Sequence, residues 1–405
     1  MLRGKTILLG VTGGIAAYKA AALCSKLVQK GAEVHVIMTE SAVRFIAPLT
    51  LQTLSRHPVH LDTFDEKDPA VVTHIDLADR ADLILIAPAT ANSLAKLAAG
   101  LADDMLSTTL LAATAPIIAA PAMNVHMYEH PATVANMETL GRRGVRFLDP
   151  GTGQLACGYV AKGRLAEPEE IVLAVEKFFA SRTLLAGKRL LVTAGGTVER
   201  FDPVRYLTND SSGKMGFAIA EAARDMGAEV TVVAARTDVP APGGVELVRV
   251  ESAEQMLEAV LSRYAEADIV VKAAAVADYR PVERHASKLK KSAGTLTLEL
   301  EKTTDILAEL GRRKSGQFLV GFAAETERLA EHAMDKLRRK NCDLIVANDV
   351  TMEGAGFGGD TNAVQVFDRD GAALSLPVLS KRETAERLLG LVASRLGGAS
   401  PEGSR

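Results

Sequence analysis

Between Leu191 and Gly216 the chain reads LVTAGGTVERFDPVRYLTNDSSGKMG, and this stretch gathers Arg205, Asn209, Ser211, Ser212 and Lys214 behind the small residues Thr193, Ala194, Gly195 and Gly196. Cations, an amide and hydroxyls beside a glycine turn form a set that can hold phosphate or carboxylate oxygens and steady negative charge as it develops. A helix beginning near Gly213 would add unpaired N–H groups and the positive end of its dipole, both of which favour anions. The same arrangement opens the chain, in TILLGVTGGIAAYK. Three further loops resemble Gly13-Gly14-Ile15 in character: Thr39-Glu40-Ser41, Pro88 to Asn92, and Pro121 to Asn124. Small residues with short hydroxyl or amide groups let backbone donors come close to a phosphate and a flat ring.

Positioning such loops requires strands that end beneath them. Apolar runs at Thr6 to Val11, Glu33 to Met38, Asp82 to Ala87 and Pro116 to Ala120 are each followed by a helical pattern, which predicts a parallel sheet with helices on both faces. Ligands in such sheets lie beyond the strand C-termini. After an amphipathic helix over Glu167 to Ser181 and a short linker the alternation restarts. Strands are expected near Arg189 to Thr193, Glu229 to Ala234, Asp268 to Lys272, Phe318 to Phe322 and Leu344 to Ala347. Helices are expected near Lys214 to Met226, Ala253 to Ala265, Asp305 to Arg313, Glu327 to Arg339 and Ser380 to Arg395. The chain therefore reads as two doubly wound, Rossmann-like α/β domains, the first flavodoxin-like, over residues 1–181 and 188–396.

Composition limits the function classes. With 47 basic and 50 acidic side chains the formal charge is −3, so there is no overall nucleic-acid footprint. No apolar run is long enough to span a membrane, the N-terminus lacks a signal-peptide pattern, and the cytoplasm is the expected location. Three widely spaced cysteines make neither a disulfide framework nor a zinc cluster. Neither glycine loop is a dinucleotide fingerprint: Gly10, Gly13 and Gly14 have the wrong spacing. Ser212-Gly213-Lys214 is not a Walker A motif either, because Thr208 stands where its first glycine belongs.

Five ordered motifs in the first half, GGIAAYK, His74, APATANSLAKLAAGLADDML, PAMNVHM and GQLACG, closely resemble the flavin-containing cysteine decarboxylases. The resemblance implies FMN, with Gly13, Gly14, Ile15, Thr39, Phe45, Ala89, Thr90, Asn92 and Met123 around it. It also implies His74 as a catalytic base, Asn124 as a binder of the substrate carboxylate, and Cys157 as a proton donor on a mobile clamp. The chemistry accounts for these types. An N-acylated cysteine cannot form a Schiff base, so CO2 loss needs another electron sink, which oxidation of the thiol to a thioaldehyde provides. Histidine suits the base, and a thiol can return a proton to carbon. Taken singly, His74 before a strand reads as structural, Cys157 as an inert small residue and Asn124 as a turn former; it is their order and spacing that carry the resemblance. Tyr128 stands where the family usually has tryptophan, and the segment after Cys157 is atypical.

The second half resembles the phosphopantothenate–cysteine ligase domain through TAGGT, DPVRYLTNDSSGKMG, AAAVADYRP, SKLKK, GFAAET and ANDV. Together the halves resemble the bifunctional family of coenzyme A biosynthesis, in which the ligase product is the decarboxylase substrate. A carboxylate resists amine attack at neutral pH, so the resemblance implies activation by CTP with Mg2+ through an acyl-cytidylate, and cations that stabilise the phosphoryl transition state. Lys288 is then the catalytic lysine on a flap, Asn209 the binder of the acyl carbonyl, and Arg205 an aid at the substrate end. Lys336 and Lys340, four apart, hold the nucleotide. Ala273, Ala274, Ala275, Asp278, Asp305, Ile306, Leu307, Ala308 and Phe322 line the cytidine pocket, although Asp278 and Asp305 read equally as helix caps. No metal ligands are legible. The partners implied are small molecules, with a homo-oligomer as the assembly. The rival classes are a regulatory flavoprotein, disfavoured by the presence of both His74 and Cys157, and a nicotinamide-dependent reductase, disfavoured by both glycine loops.

Overall fold

The computed structural model describes residues 2–66, 70–154, 160–290, 295–325, 329–349 and 359–397. The chain divides into two compact units, Met1–Ala180 and Ser181–Arg405.

In the first unit, β1 (Thr6–Val11) leads through a single 3-10 turn into α1 (Lys19–Gln29), then β2 (Glu33–Met38), α2 (Glu40–Val43), α3 (Pro48–Ser55) and the short β3 (Val59–His60). There follow α4 (Thr73–Arg80), β4 (Leu83–Ala89), α5 (Ala91–Ala99), α6 (Met105–Ala112), β5 (Ile117–Pro121), α7 (Val125–Tyr128), α8 (Pro131–Arg142) and β6 (Arg146–Phe147). A hairpin, β7 (Gly151–Gln154) and β8 (Val160–Arg164), precedes α9 (Pro168–Ser181). The six strands β3-β2-β1-β4-β5-β6 pair in that order, all parallel, so the chain changes direction between β1 and β4. Alternate residues of β1 feed two cores: Ile7, Leu9 and Val11 pack with α1 and α9, while Leu8 packs with Ile84, Leu94 and Leu106 on the other face. Burial on both faces explains why these strands read as continuous apolar runs.

The second unit contains β9 (Arg189–Ala194), a small hairpin of β10 (Val198–Arg200) and β11 (Tyr206–Thr208), α10 (Lys214–Asp225), β12 (Glu229–Ala234), β13 (Glu246–Arg249) and α11 (Ala253–Tyr264). Next come β14 (Ile269–Lys272), β15 (Tyr279–Pro281) paired with β16 (Leu300–Lys302), α12 (Ile306–Arg313), β17 (Phe318–Glu325), α13 (Leu329–Arg339) and β18 (Leu344–Asp349). The unit closes with β19 (Thr361–Asp368), β20 (Gly371–Ser380) and α14 (Lys381–Leu396). Its sheet runs β13-β12-β9-β14-β17-β18-β19-β20, parallel as far as β18 and antiparallel beyond. The doubly wound class is as expected, but the antiparallel extension and the two small hairpins are additional. They lie outside the strand–helix alternation from which the parallel strands were legible. Among the described residues no helix is long and apolar enough to cross a membrane.

Candidate active sites

At the C-terminal ends of β1, β2, β4 and β5 the four small-residue loops enclose a cavity of about 1230 Å³. Gly13, Gly14, Ile15, Thr39, Thr90, Asn92, Met123 and Asn124 all line it. Glycine is required at position 13, because a Cβ there would stand 2.2 Å from the Ser41 Cβ and 2.8 Å from the Ser41 carbonyl carbon. Buried Thr12, not among the expected residues, ties two loops: its hydroxyl donates to the Pro88 carbonyl (2.7 Å) and accepts from the Thr90 N–H (3.1 Å). Thr90 in turn caps α5, accepting from the Ser93 N–H at 3.4 Å. The fourth loop is fastened to β8, where the Met123 N–H donates to the Gly163 carbonyl (3.0 Å). Gly163 has φ +137°, and a side chain there would meet the Met123 carbonyl oxygen at 2.4 Å.

Other lining residues are missing from the expected set. Lys19, almost wholly buried, donates to the Leu165 carbonyl (3.1 Å) and pairs with Glu167 (2.9 Å). Lys96 pairs with Asp103 (2.7 Å) and Asp104 (2.8 Å), and Asp104 caps α6 in a reciprocal capping box. Their signal was in view, since Lys19 closes GGIAAYK and Lys96, Asp103 and Asp104 all fall within the alanine-rich motif. The structure does not bring every expected residue to the cavity. Ala89 is fully buried, Phe45 is half exposed, and neither they nor His74 are in its lining. His74 is the second residue of α4, and its Nδ1 is buried with no hydrogen-bond partner among the described residues. Cys157 lies outside the described residues. The other two thiols are inert by burial, which pushes Cys24 up to about 11 and Cys342 up to about 12.

Among the described residues a single group has metal-ligand character, Glu33, His35 and His57, at the end of β2 opposite the cavity. His35 and Glu33 hydrogen-bond at 2.9 Å and the two imidazoles stack at 4.4 Å, so the set is satisfied within itself.

In the second unit the Ala273–Ala275 turn and Asn209 pack against the residues that follow β9. The turn at Ala273 to Ala275 is pinned along its backbone. The Ala274 N–H donates to the Thr193 hydroxyl (3.0 Å), the Ala275 N–H to the Gly195 carbonyl (2.9 Å), and the Thr197 N–H to the Ala275 carbonyl (3.2 Å). Asn209, exposed at the end of β11, packs its backbone against Gly196, where a Cβ would lie 2.8 Å from the Asn209 carbonyl oxygen.

Asp305 is a helix cap that also carries an ion pair: it accepts from the Ala308 N–H (2.9 Å) and its other oxygen pairs with Lys340. Burial pushes its carboxyl upward, but Lys340 and the Ala308 N–H outweigh that and leave it below the ordinary range. Lys336 donates to the Phe322 carbonyl (3.0 Å), while Lys340 falls just past the end of α13. Ile306 and Leu307 are buried in the core, so only the backbone of that turn is available to a ligand. Asp278 is exposed, and its carbonyl accepts from the Thr303 N–H (2.9 Å).

Lys288 is exposed, and its neighbour Leu289 anchors that segment. The anchor is Asp202, which is not among the expected site residues although it opens the motif DPVRYLTNDSSGKMG. Its buried carboxylate takes the Val204 and Arg205 N–H groups (2.8 Å each), the Arg205 guanidinium (2.6 and 2.9 Å) and the Leu289 N–H (3.2 Å). Burial opposes its ionisation, yet these donors hold it well below the usual carboxylate range. Arg205 also donates to the Leu289 carbonyl at 2.9 Å, so in this structure it braces the Lys288 segment.

Two doubly wound units, one with a small-residue cavity at its switch point and one with a cation-bearing loop end, define a flavoprotein with an appended nucleotide-type domain. Residues 1–180 match the Flavoprotein family and residues 185–396 the DNA/pantothenate metabolism flavoprotein C-terminal domain. The coenzyme A biosynthesis bifunctional protein CoaBC of Bacillus subtilis (strain 168) is 56% identical over 397 residues, spanning 97% of this chain and 98% of that protein. The CoaBC protein of Vibrio cholerae serotype O1 is 48% identical over 394 residues, 96% of this chain and 98% of its own. Among solved structures, the C-terminal domain of a coenzyme A biosynthesis bifunctional protein CoaBC is 46% identical, covers 53% of this chain and 99% of its own, and has a TM-score of 0.47. The chain belongs to the family of coenzyme A biosynthesis bifunctional proteins.

Proposed function

We propose that the chain catalyses two consecutive steps of coenzyme A biosynthesis. Residues 188–396 join cysteine to 4′-phosphopantothenate at the expense of CTP, with Mg2+, and residues 1–181 decarboxylate the product to 4′-phosphopantetheine with FMN. The observation that carries the flavin reading is the cavity itself. Eight residues from four separate loops, chosen for a flavin and its substrate, converge on a space large enough for a mononucleotide. Its glycine floor tolerates no side chain at Gly13, and the N–H groups opening α5 suit a phosphate. Gly13, Gly14, Thr39, Thr90 and Asn92 would hold FMN, which supplies a two-electron acceptor and donor when bound.

The chain's own groups do the rest. His74 takes protons from the substrate, Asn124 orients its carboxylate, and Cys157 returns a proton to carbon. Among the described residues His74 does not line the cavity of its own chain, and a base role for it is consistent with a homo-oligomer in which it serves a neighbouring copy. In the ligase unit Lys288 neutralises charge at the attacked phosphorus, and Asn209 holds the acyl carbonyl through amide formation. The Asp202–Arg205 brace positions the Lys288 segment, and Lys336, Lys340 and the Ala273–Ala275 turn bind the nucleotide. The phosphorylated substrates favour the cytoplasm.

The test is product analysis: purified protein given 4′-phosphopantothenate, cysteine, CTP and Mg2+ should yield 4′-phosphopantetheine, CO2, CMP and pyrophosphate. A colourless protein with no released flavin on denaturation, or one that accumulates neither amide nor thiol product, would remove the reading.

A further inference from the structure

Lys272 ends the central strand β14 and is part-buried beneath the Ala273–Ala275 turn, where its ammonium donates to the Ala274 carbonyl at 3.0 Å. The Ala274 N–H is held from the other side by Thr193, so both backbone groups of this residue are clamped. The charged groups that bear on Lys272 are Lys336 from α13, Asp305 from the start of α12, and Asp278 from the loop after β14. None of these carboxylates pairs with it. Asp305 is already engaged by Lys340, and among the described residues Lys336 donates only to the Phe322 carbonyl. The Lys336 charge thus bears on a part-buried Lys272, and each ammonium is bonded to a neutral carbonyl. Such an arrangement is costly unless an anion completes it. Burial, with Lys336 adding to it, pushes the Lys272 ammonium down to about 8.

We propose that Lys272 is an affinity-determining cation of the nucleotide site, left without a carboxylate beneath the Ala273–Ala275 turn so that the anionic nucleotide balances it and Lys336. The proposal rests on the reading of this loop end as the nucleotide site. An incoming anion favours the charged ammonium, so binding at a pH where the free protein is half-protonated must draw a proton from solution. At pH 8 the uptake should be about half a proton per nucleotide, and affinity should fall as pH rises further, because the charged form that binds is being lost.

The experiment is calorimetric titration of CTP with Mg2+ into the full chain at pH 8, in two buffers of different ionisation enthalpy. The wild type should take up about half a proton. Lys272→Met should bind on the order of tenfold to a hundredfold more weakly with that uptake gone, since a charged contact is lost. Lys272→Arg should recover most of the affinity, again without uptake, because a guanidinium does not titrate near pH 8. Equal uptake in the wild type and Lys272→Met, or undiminished affinity in Lys272→Met, overturns the proposal. A wild type that binds no CTP at all overturns the nucleotide reading beneath it, and that outcome is distinct from the other two.

Discussion

Replacing Gly13 by alanine tests the cavity with the smallest possible change. The new methyl would start 2.2 Å from the Ser41 Cβ and 2.8 Å from a Ser41 backbone carbon, where ordinary carbon contacts are near 3.5 to 4 Å. Ser41 cannot swing aside, because the close atoms are its Cβ and main chain. The Gly13 and Thr39–Ser41 loops must therefore part by about an ångström, and overpacking of this kind costs about 1–3 kcal/mol. If that cost falls on the loop spacing the flavin requires, affinity drops roughly 5- to 150-fold. Gly14 is an internal control: its backbone is extended, with φ −171°, and a Cβ there meets only the Thr90 methyl carbon at 3.6 Å. Purified Gly13→Ala should emerge largely without flavin, and fluorescence titration with FMN should show the weakened affinity. Gly14→Ala, which causes no clash between loops, should lose less flavin than Gly13→Ala. Amide formation in the ligase unit should be normal in both. A Gly13→Ala protein holding flavin at wild-type stoichiometry and affinity would refute the placement of FMN between these two loops.

Other outcomes follow from the same geometry. His74→Asn should retain flavin and lose decarboxylation, and an apoprotein would instead make His74 structural. Cys157→Ser should slow the return of a proton to carbon by roughly 10² to 10⁴, so that the oxidised aminoenethiol accumulates; normal phosphopantetheine yields would dismiss the assignment. In the ligase unit, Lys288→Gln should block pyrophosphate release even without cysteine, by on the order of 10² to 10³. Asn209→Asp should form the cytidylate and stall before the amide. Supplied phosphopantothenoylcysteine should still be decarboxylated by both variants, and loss of that activity in folded protein would contradict the division of labour. Alkylation of the native protein should spare Cys24 and Cys342, whose buried thiols stay protonated, with labelling only on denaturation.

The parallel strands and the cavity loops were legible because each left a local mark: an apolar run buried on both faces, then small residues where a backbone must approach a ligand. What was hidden depended on partners distant in the chain. Lys272 reads as the tail of the strand Ile269–Lys272, and only folding brings it within reach of the charges on Lys336 and Asp305. Asp202 looks like one more turn residue until Leu289, 87 positions away, arrives on its carboxylate. Ile306 and Leu307 show the limit of motif position for side chains. Motif position placed them at the pocket, whereas helix phase turns their side chains into the core. Phe45 and His74 are in the right order along the chain yet outside the cavity of their own fold, a relation that no single-chain pattern encodes.

The buried Lys19 ammonium also has a bearing on synthesis. By holding the Leu165 carbonyl and Glu167 it closes the first glycine loop against the last strand of the unit, and Gly163, Arg164 and Leu165 are themselves part of the cavity wall. A ribosome that has released the Gly13 loop has therefore made only one lip of the cavity, and more than a hundred residues must follow before the other appears. Every wall residue among the described ones nevertheless precedes Ala180, so flavin capture can be complete while the ligase unit is still being translated. Cofactor loading then marks the end of the first folding event, and a chain interrupted between the units should already be coloured.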